Sequence, residues 1–321
     1  MTILRRLLLL AVLAGVAAYG WYRFKDPERR ALDAAARAEA PGRFVQLADG
    51  VTHYEVAGPD TGQVVLLAAP FSVPGWIWDP LFQQLGDAGL RAVRFDYYGR
   101  GWSERVDATY DQDLFVRQMA GLLDSLGVHT PVAVAGVSYG AAMVTSFADR
   151  HPERVRALIY LNPVFNNRRP LPPRERSAFA WNVYMVLKGG TEAMAASQTG
   201  DLLHPERHPG WVERYRVQQQ FTGTREAWRR TRVAVAAAPD QAEQLRRVGA
   251  HGRPVLVLWG RQDPFVPFAE SESVMAMLPH ATLVPVDSAA HLPQVERADV
   301  VGEAVVRFLR GEGVHVERAG Q

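Results

Sequence analysis

The stretch that decides the reading is Gly136-Val137-Ser138-Tyr139-Gly140. Just before it, Val132–Ala135 is a short apolar run of strand type. Just after it, AAMVTSFADRHP (141–152) carries helical spacing. A serine on a tight strand-to-helix turn needs small residues two before and two after it, because the backbone is crowded there. Such a turn lifts Oγ out of the sheet and sets it near a helix N-terminus, where developing negative charge is favoured. An ordinary glycine-rich turn accounts for the glycines but not for the strand and helix that flank them.

A serine hydroxyl needs a base, and the base needs an acid to orient it. The chain has nine histidines. His151 and His280 follow helical stretches and precede strands, which puts them in connecting turns, and His204 and His208 lie among prolines. His291, in Ser288-Ala289-Ala290-His291-Leu292-Pro293, follows the last strand-like run and is the predicted base. Asp263, in Trp259-Gly260-Arg261-Gln262-Asp263-Pro264, follows the strand before it and completes the order Ser…Asp…His. The competing position, after the strand Ala157–Leu161, holds Asn162, which is no carboxylate; Asp287 is too close in sequence to His291 to approach its ring from behind.

Working outward, strand-like runs occur at Phe44–Leu47, Thr52–Val56, Val64–Leu67, Ala92–Asp96, Val132–Val137, Ala157–Leu161, Val255–Trp259 and Thr282–Val286. Most are Val/Leu-rich without alternation, as expected of strands covered on both faces. Between them lie helical patterns such as 111–126, with Phe115, Met119, Leu122, Leu123 and Leu126 at helical spacing. The alternation predicts an α/β fold with a doubly wound, mostly parallel sheet. It breaks over 164–250, which reads as a helical cap over the C-terminal sheet edge, where open α/β sheets bind ligands. The predicted organisation is an N-terminal segment (1–25), a spacer (26–43), a core (44–163 and 251–311), the cap (164–250) and a tail (312–321).

The 321 residues are 48% hydrophobic, enough for a sizeable core. The net charge of +2 with scattered basic residues carries no nucleic-acid footprint. The absence of cysteine excludes disulfides, a thiolate nucleophile and Cys-ligated zinc. At the N-terminus, Arg5-Arg6 precede an apolar run from Leu7 to Tyr22, followed by Arg23 and Lys25. Its sixteen residues span only about 24 Å as a helix, short of the ~30 Å hydrocarbon core. Two readings stand. One is a single-pass membrane anchor with Trp21 and Tyr22 at the interface; the other is a signal cleaved after Val16-Ala17-Ala18, leaving a secreted or periplasmic body. In both the body is exported.

The chain resembles the α/β-hydrolase superfamily in its esterase/lipase-like branch with a helical cap. The resemblance covers residues 44–310 and rests on GVSYG (136–140), GRQDPFVP (260–267), AAHLPQVERA (289–298) and Asp96-Tyr97-Tyr98-Gly99-Arg100-Gly101-Trp102-Ser103. The last matches the family's D-x-x-G-x-G-x-S loop, which implies that Asp96 organises a loop and is not a second catalytic acid. The family's usual His-Gly after its third strand is here Ala69-Pro70, with Phe71 next. The resemblance implies that Phe71 N–H and Tyr139 N–H form the oxyanion hole, in a loop without the glycine's backbone freedom.

The expected activity is hydrolysis of carboxylic esters through Ser138, His291 and Asp263, on a small-molecule substrate and with no cofactor or metal implied. Trp76, Trp78, Trp181 and Tyr184 are candidate walls of an apolar substrate pocket. Hydrolysis of a carbon–carbon bond and cofactor-free peroxidation use the same triad, and a non-catalytic binding protein is the rival from another class. Oligomeric state is not encoded in any motif found.

Overall fold

A computed structural model describes residues 2–165 and 170–314. Its sheet has eight strands: β1 Arg43–Gln46, β2 Val51–Ala57, β3 Val64–Ala68, β4 Arg91–Phe95, β5 Val132–Val137, β6 Val155–Leu161, β7 Val255–Gly260 and β8 Ala281–Val286. Their order is β1-β2-β4-β3-β5-β6-β7-β8. The β1–β2 and β2–β4 pairings are antiparallel, and β4, β3, β5, β6, β7 and β8 run parallel. Every predicted strand run falls on an observed strand. The least alternating runs are interior strands of the sheet: all six residues of β5 and all six of β7 are buried, because helices cover both faces.

The helices behave as their patterns require. Helix Gln112–Ser125 starts where Asp111 accepts the Leu114 N–H at 3.0 Å, and it buries Leu114, Phe115, Met119, Leu122 and Leu123. Helix Tyr139–Arg150 leaves β5 directly, is buried from Tyr139 to Ala148, and packs on β3, β5 and β6. Between β6 and β7 the chain forms the cap helices Pro173–Arg176, Ala178–Leu187, Gly190–Ser197, Trp211–Gln219 and Thr224–Ala237.

Two segment boundaries differ from expectation. The predicted cap includes Ala242–Ala250, but that helix packs on the core. Its Leu245 and Val248 are fully buried, and Arg247 pairs with Asp149 of helix Tyr139–Arg150 at 2.8 Å. The predicted spacer is helical only over Ala34–Arg37 and is docked along its length. Asp26 and Glu28 are buried against Arg225 of the cap, with Glu28 accepting Gly223 N–H at 2.9 Å. Further on, Arg30 exchanges backbone hydrogen bonds with Gln220 and Thr222. The charged residues that open the spacer are therefore partners of a buried arginine.

The N-terminal helix runs Thr2–Lys25, and its apolar stretch Ile3–Lys25 has a mean hydropathy of 1.8 with no part buried in the protein. At 24 residues it is about 36 Å long, enough to cross a hydrocarbon core that the sixteen-residue apolar count falls short of.

Candidate active site

Ser138 sits between β5 and helix Tyr139–Arg150 with φ 55° and ψ −124°, a backbone conformation that costs a non-glycine residue about 1–3 kcal/mol. Its N–H donates to Leu161 of β6 at 2.9 Å, and its carbonyl accepts from Ala141 and Val164. The flanking glycines are forced by space. A Cβ on Gly136 would lie 2.4 Å from the Gly140 carbonyl oxygen, and one on Gly140 would lie 2.4 Å from that of Ala68. The turn is held closed by β3 and β6, so the serine's position is set by the sheet.

His291 follows β8, and Asp263 follows β7. The Asp263 Oδ2 lies 2.7 Å from His291 Nδ1. Its other oxygen accepts the N–H groups of Phe265 (2.8 Å) and Val266 (3.0 Å). Burial by itself raises this carboxyl. The hydrogen bond and charge of His291, with the donations of Val266 and Asn162, outweigh it and hold Asp263 below the usual carboxylate range. An ionised Asp263 fixes the proton on Nδ1 and leaves Nε2 as the basic nitrogen. The rival acid Asp287 is engaged elsewhere, pairing with Arg261 at 2.8 Å.

Ser138 and His291 line one cavity of about 680 Å³. One wall is the loop Pro70–Val73, and the cap contributes Ser197, Gln198 and Asp201. Apolar surface comes from Phe165, Trp259, Val274 and Met277. The amides of Phe71 and Tyr139 have no protein acceptor among the described residues. The loop is fixed through its carbonyls instead: Arg100 Nε donates to Phe71 O at 3.0 Å, and Gln218 Nε2 donates to Ser72 O at 2.9 Å. Phe71 also packs edge-on against Tyr139 at 5.5 Å and Trp228 at 5.2 Å.

The four aromatic candidates for the pocket wall lie outside this cavity. Trp78 is wholly buried in the core. Trp76 meets Trp211 edge-on at 4.8 Å under Arg214. Trp181 donates from Nε1 to Arg225 O at 3.0 Å, and Tyr184 lies beneath Arg174. Large aromatics are as useful for joining the cap to its neighbours as for lining a site, and composition does not separate the two uses.

Asp96 is buried and accepts from Gly75 N–H (2.7 Å), Trp102 N–H (2.8 Å) and His53 Nδ1 (2.9 Å), a loop-organising arrangement on the side of β4. Four residues with no predicted role touch the site. Arg100 and Gln218 hold the Phe71 loop. Asn162 (φ 42°) donates from Nδ2 to Asp263 Oδ2 at 2.5 Å and accepts Gly260 N–H at 3.1 Å. The fourth, Asp201, lines the cavity, and burial pushes its carboxyl up to about 6. Arg100 and Asn162 sit in stretches the sequence had already marked; Gln218 and Asp201 lie in the cap and carry no motif.

A model of the Alpha/beta hydrolase family matches residues 64–304. A 2-hydroxy-6-oxononadienedioate/2-hydroxy-6-oxononatrienedioate hydrolase of Cupriavidus pinatubonensis is 27% identical over 292 residues, covering 83% of this chain and 94% of the relative. Among solved structures, a thermophilic esterase from Thermogutta terrifontis matches with a TM-score of 0.71 at 24% identity, covering 85% of this chain and 99% of that one. The enol-lactonase from Burkholderia xenovorans matches with a TM-score of 0.71 at 22% identity, covering 84% and 100%. At these identities the structural likeness is one of fold.

Proposed function

The chain belongs to the Alpha/beta hydrolase family, and on that premise we propose that it is a serine hydrolase of carboxylic esters. The observation that carries the reading is the 2.7 Å contact of Asp263 with His291 in a cavity shared with the strained Ser138. His291 Nε2 takes the Ser138 proton as Oγ attacks the ester carbonyl, and the ionised Asp263 stabilises the imidazolium. The amides of Phe71 and Tyr139 receive the oxyanion. Collapse expels the alcohol with the proton from His291; water, deprotonated by the same ring, then releases the acid.

The second reading is hydrolysis of a carbon–carbon bond, favoured by the name of the Cupriavidus pinatubonensis relative, which denotes a dicarboxylate substrate. The cavity weighs against a dianion here. Asp201 and Glu270 line it, and neither lysine nor arginine does so among its described lining residues. Like charges in a partly dehydrated cavity repel strongly. The N-terminal helix, on the same reading, is a membrane anchor holding the hydrolase at a bilayer surface.

Labelling with a fluorophosphonate probe tests the proposal. Wild type is expected to label and Ser138→Ala not to. Folded protein without Ser138-dependent labelling overturns it. Ester panels alongside a vinylogous 1,5-diketone then separate the two bond types, esters being the faster substrates.

A further inference from the structure

The mechanism leaves the carboxyl of Asp201 unused. Asp201 ends the short cap segment Gln198–Asp201 and lines the cavity that holds Ser138 and His291. Its main-chain carbonyl accepts the His291 N–H at 3.1 Å, so its position is coupled to that of the base. Its carboxyl has neither hydrogen-bond nor ion-pair partner among the described residues. That is unusual in this molecule. The half-buried and buried carboxylates of the cap and stem, Glu175, Glu226, Asp26 and Glu28, each have an arginine.

Arginine is not scarce: the chain carries 36 basic residues and a net charge of +2. The cavity is nonetheless supplied with carboxylates, Asp201 inside and Glu270 at its exposed rim. A half-buried carboxylate is costly unless a positive or donor group meets it, and Asp201 faces a cavity in which a ligand can bring one.

A second feature points to the same ligand chemistry. Phe265 is 44% exposed, lines the cavity and meets the His291 ring edge-on at 5.5 Å. Its Cζ lies 3.6 Å from where a Cβ on Gly200 would stand, which sets the ring beside the residue preceding Asp201. A carboxylate next to an accessible aromatic ring, in a cavity also walled by Phe71 and Trp259, is suited to an alkylated or protonated nitrogen.

We propose that Asp201 and Phe265 form a subsite for a cationic group, so that the preferred esters carry an ammonium and carboxylate-bearing analogues are excluded. This rests on the ester-hydrolase reading and adds a substrate class to it.

The test compares butyrylcholine with its uncharged carbon isostere, 3,3-dimethylbutyl butyrate, on the full-length protein. In wild type kcat/KM is expected to favour the charged ester by about tenfold or more, the scale of one well-placed charge or cation–π contact. Asp201→Asn should bring that ratio to within about twofold of one, and Phe265→Leu should lower it. A ratio near one in wild type, or one unchanged in Asp201→Asn, overturns the subsite. Labelling by the neutral fluorophosphonate probe is run in parallel on each protein. Ser138-dependent labelling with a flat ratio removes the subsite and leaves the hydrolase reading intact. Absent labelling in folded wild type removes both. Retained labelling in Asp201→Asn also certifies that the variant is folded.

Discussion

Arg100 Nε donates to the main-chain oxygen of Phe71 at 3.0 Å, from a guanidinium that is 1% exposed. That bond fixes the peptide that follows Phe71 and so limits rotation about the Phe71 Cα, which also carries the N–H assigned to the oxyanion. Arg100 also reaches Thr231 of the cap at 2.9 Å and lies over the Phe71 ring. Arg100→Met is therefore expected to lower kcat on an ester substrate about 10- to 100-fold with a smaller change in KM, as for a misaligned oxyanion donor. Arg100→Lys should not restore it, because an ammonium cannot serve Phe71 and Thr231 in one plane. Full activity in Arg100→Met would assign the loop's geometry to Gln218 alone. Steady-state kinetics on purified variants decide the point.

Asn162 touches the acid of the triad at the position where a carboxylate would be its rival. Asp263→Asn should reduce kcat by about 10⁴, since the imidazole loses its orienting charge. Adding Asn162→Asp in that background puts a carboxylate within reach of the same place, and it should recover at least about tenfold. In the wild-type background, Asn162→Asp should instead harm activity, because two adjacent carboxylates raise each other's pKa. Rates of the four proteins measured from pH 5 to 9 test the pair as a cycle.

Asp201 gives a pH signature with a definite sign. Its carboxyl is raised to about 6 by burial, with Asp263 adding to the rise and His291 opposing it; Tyr215 and, at the rim, Glu270 are the other ionisable groups around it. A raised carboxyl contributes stability below its unfolded pKa and loses it as pH rises through the folded value. Asp201→Asn should thus raise Tm at pH 8, and the gain should vanish near pH 4. An unchanged Tm at pH 8 would mean that the carboxylate is well solvated in the cavity.

The His53–Asp96 pair makes the opposite kind of claim, one about folding and not chemistry. Burial alone would lower His53, but the Asp96 charge and hydrogen bond outweigh it and the ring is raised; Asp96, for the reciprocal reason, is lowered. The histidine's contribution is present below its unfolded pKa and lost as pH climbs through its folded one. That of Asp96 is present above its unfolded pKa and lost as pH falls through its folded one. The pair therefore stabilises most between the two ranges. Asp96→Asn should cost about 3–5 kcal/mol by denaturant melts at pH 6, while Ser138 labelling per folded molecule stays close to wild type. Loss of labelling without loss of stability would make Asp96 a participant in the chemistry.

For the N-terminal helix the expectation is an uncleaved chain. The helix is continuous through Val16-Ala17-Ala18, and Arg225 reaches Tyr22 Oη at 3.4 Å as well as Asp26. Intact mass after expression in an exporting host should correspond to the full chain; a mass starting at Tyr19 would identify a signal.

What the sequence disclosed and what it hid follow from how each residue acts. The order Ser138, Asp263, His291 was legible because each residue is placed by a strand end, and strands are visible as apolar runs. Asn162 and Arg100 act through one or two hydrogen bonds across more than twenty residues of chain, so their positions were marked while their contacts were not. Asp201 sits in a cap with no periodic signal that points inward, and only the fold brings it under His291. The aromatic residues misled for the converse reason. Trp76, Trp78, Trp181 and Tyr184 are conspicuous in composition, yet their rings close joints between elements.

The docking of Asp26 and Glu28 on Arg225 has a mechanical corollary. The chain passes from the N-terminal helix onto the cap before it ever reaches the sheet, and buried ion pairs hold it there. Arg225 belongs to the cap helix Thr224–Ala237, whose Trp228 packs on Phe71, so a single helix holds both the stem and a wall of the cavity.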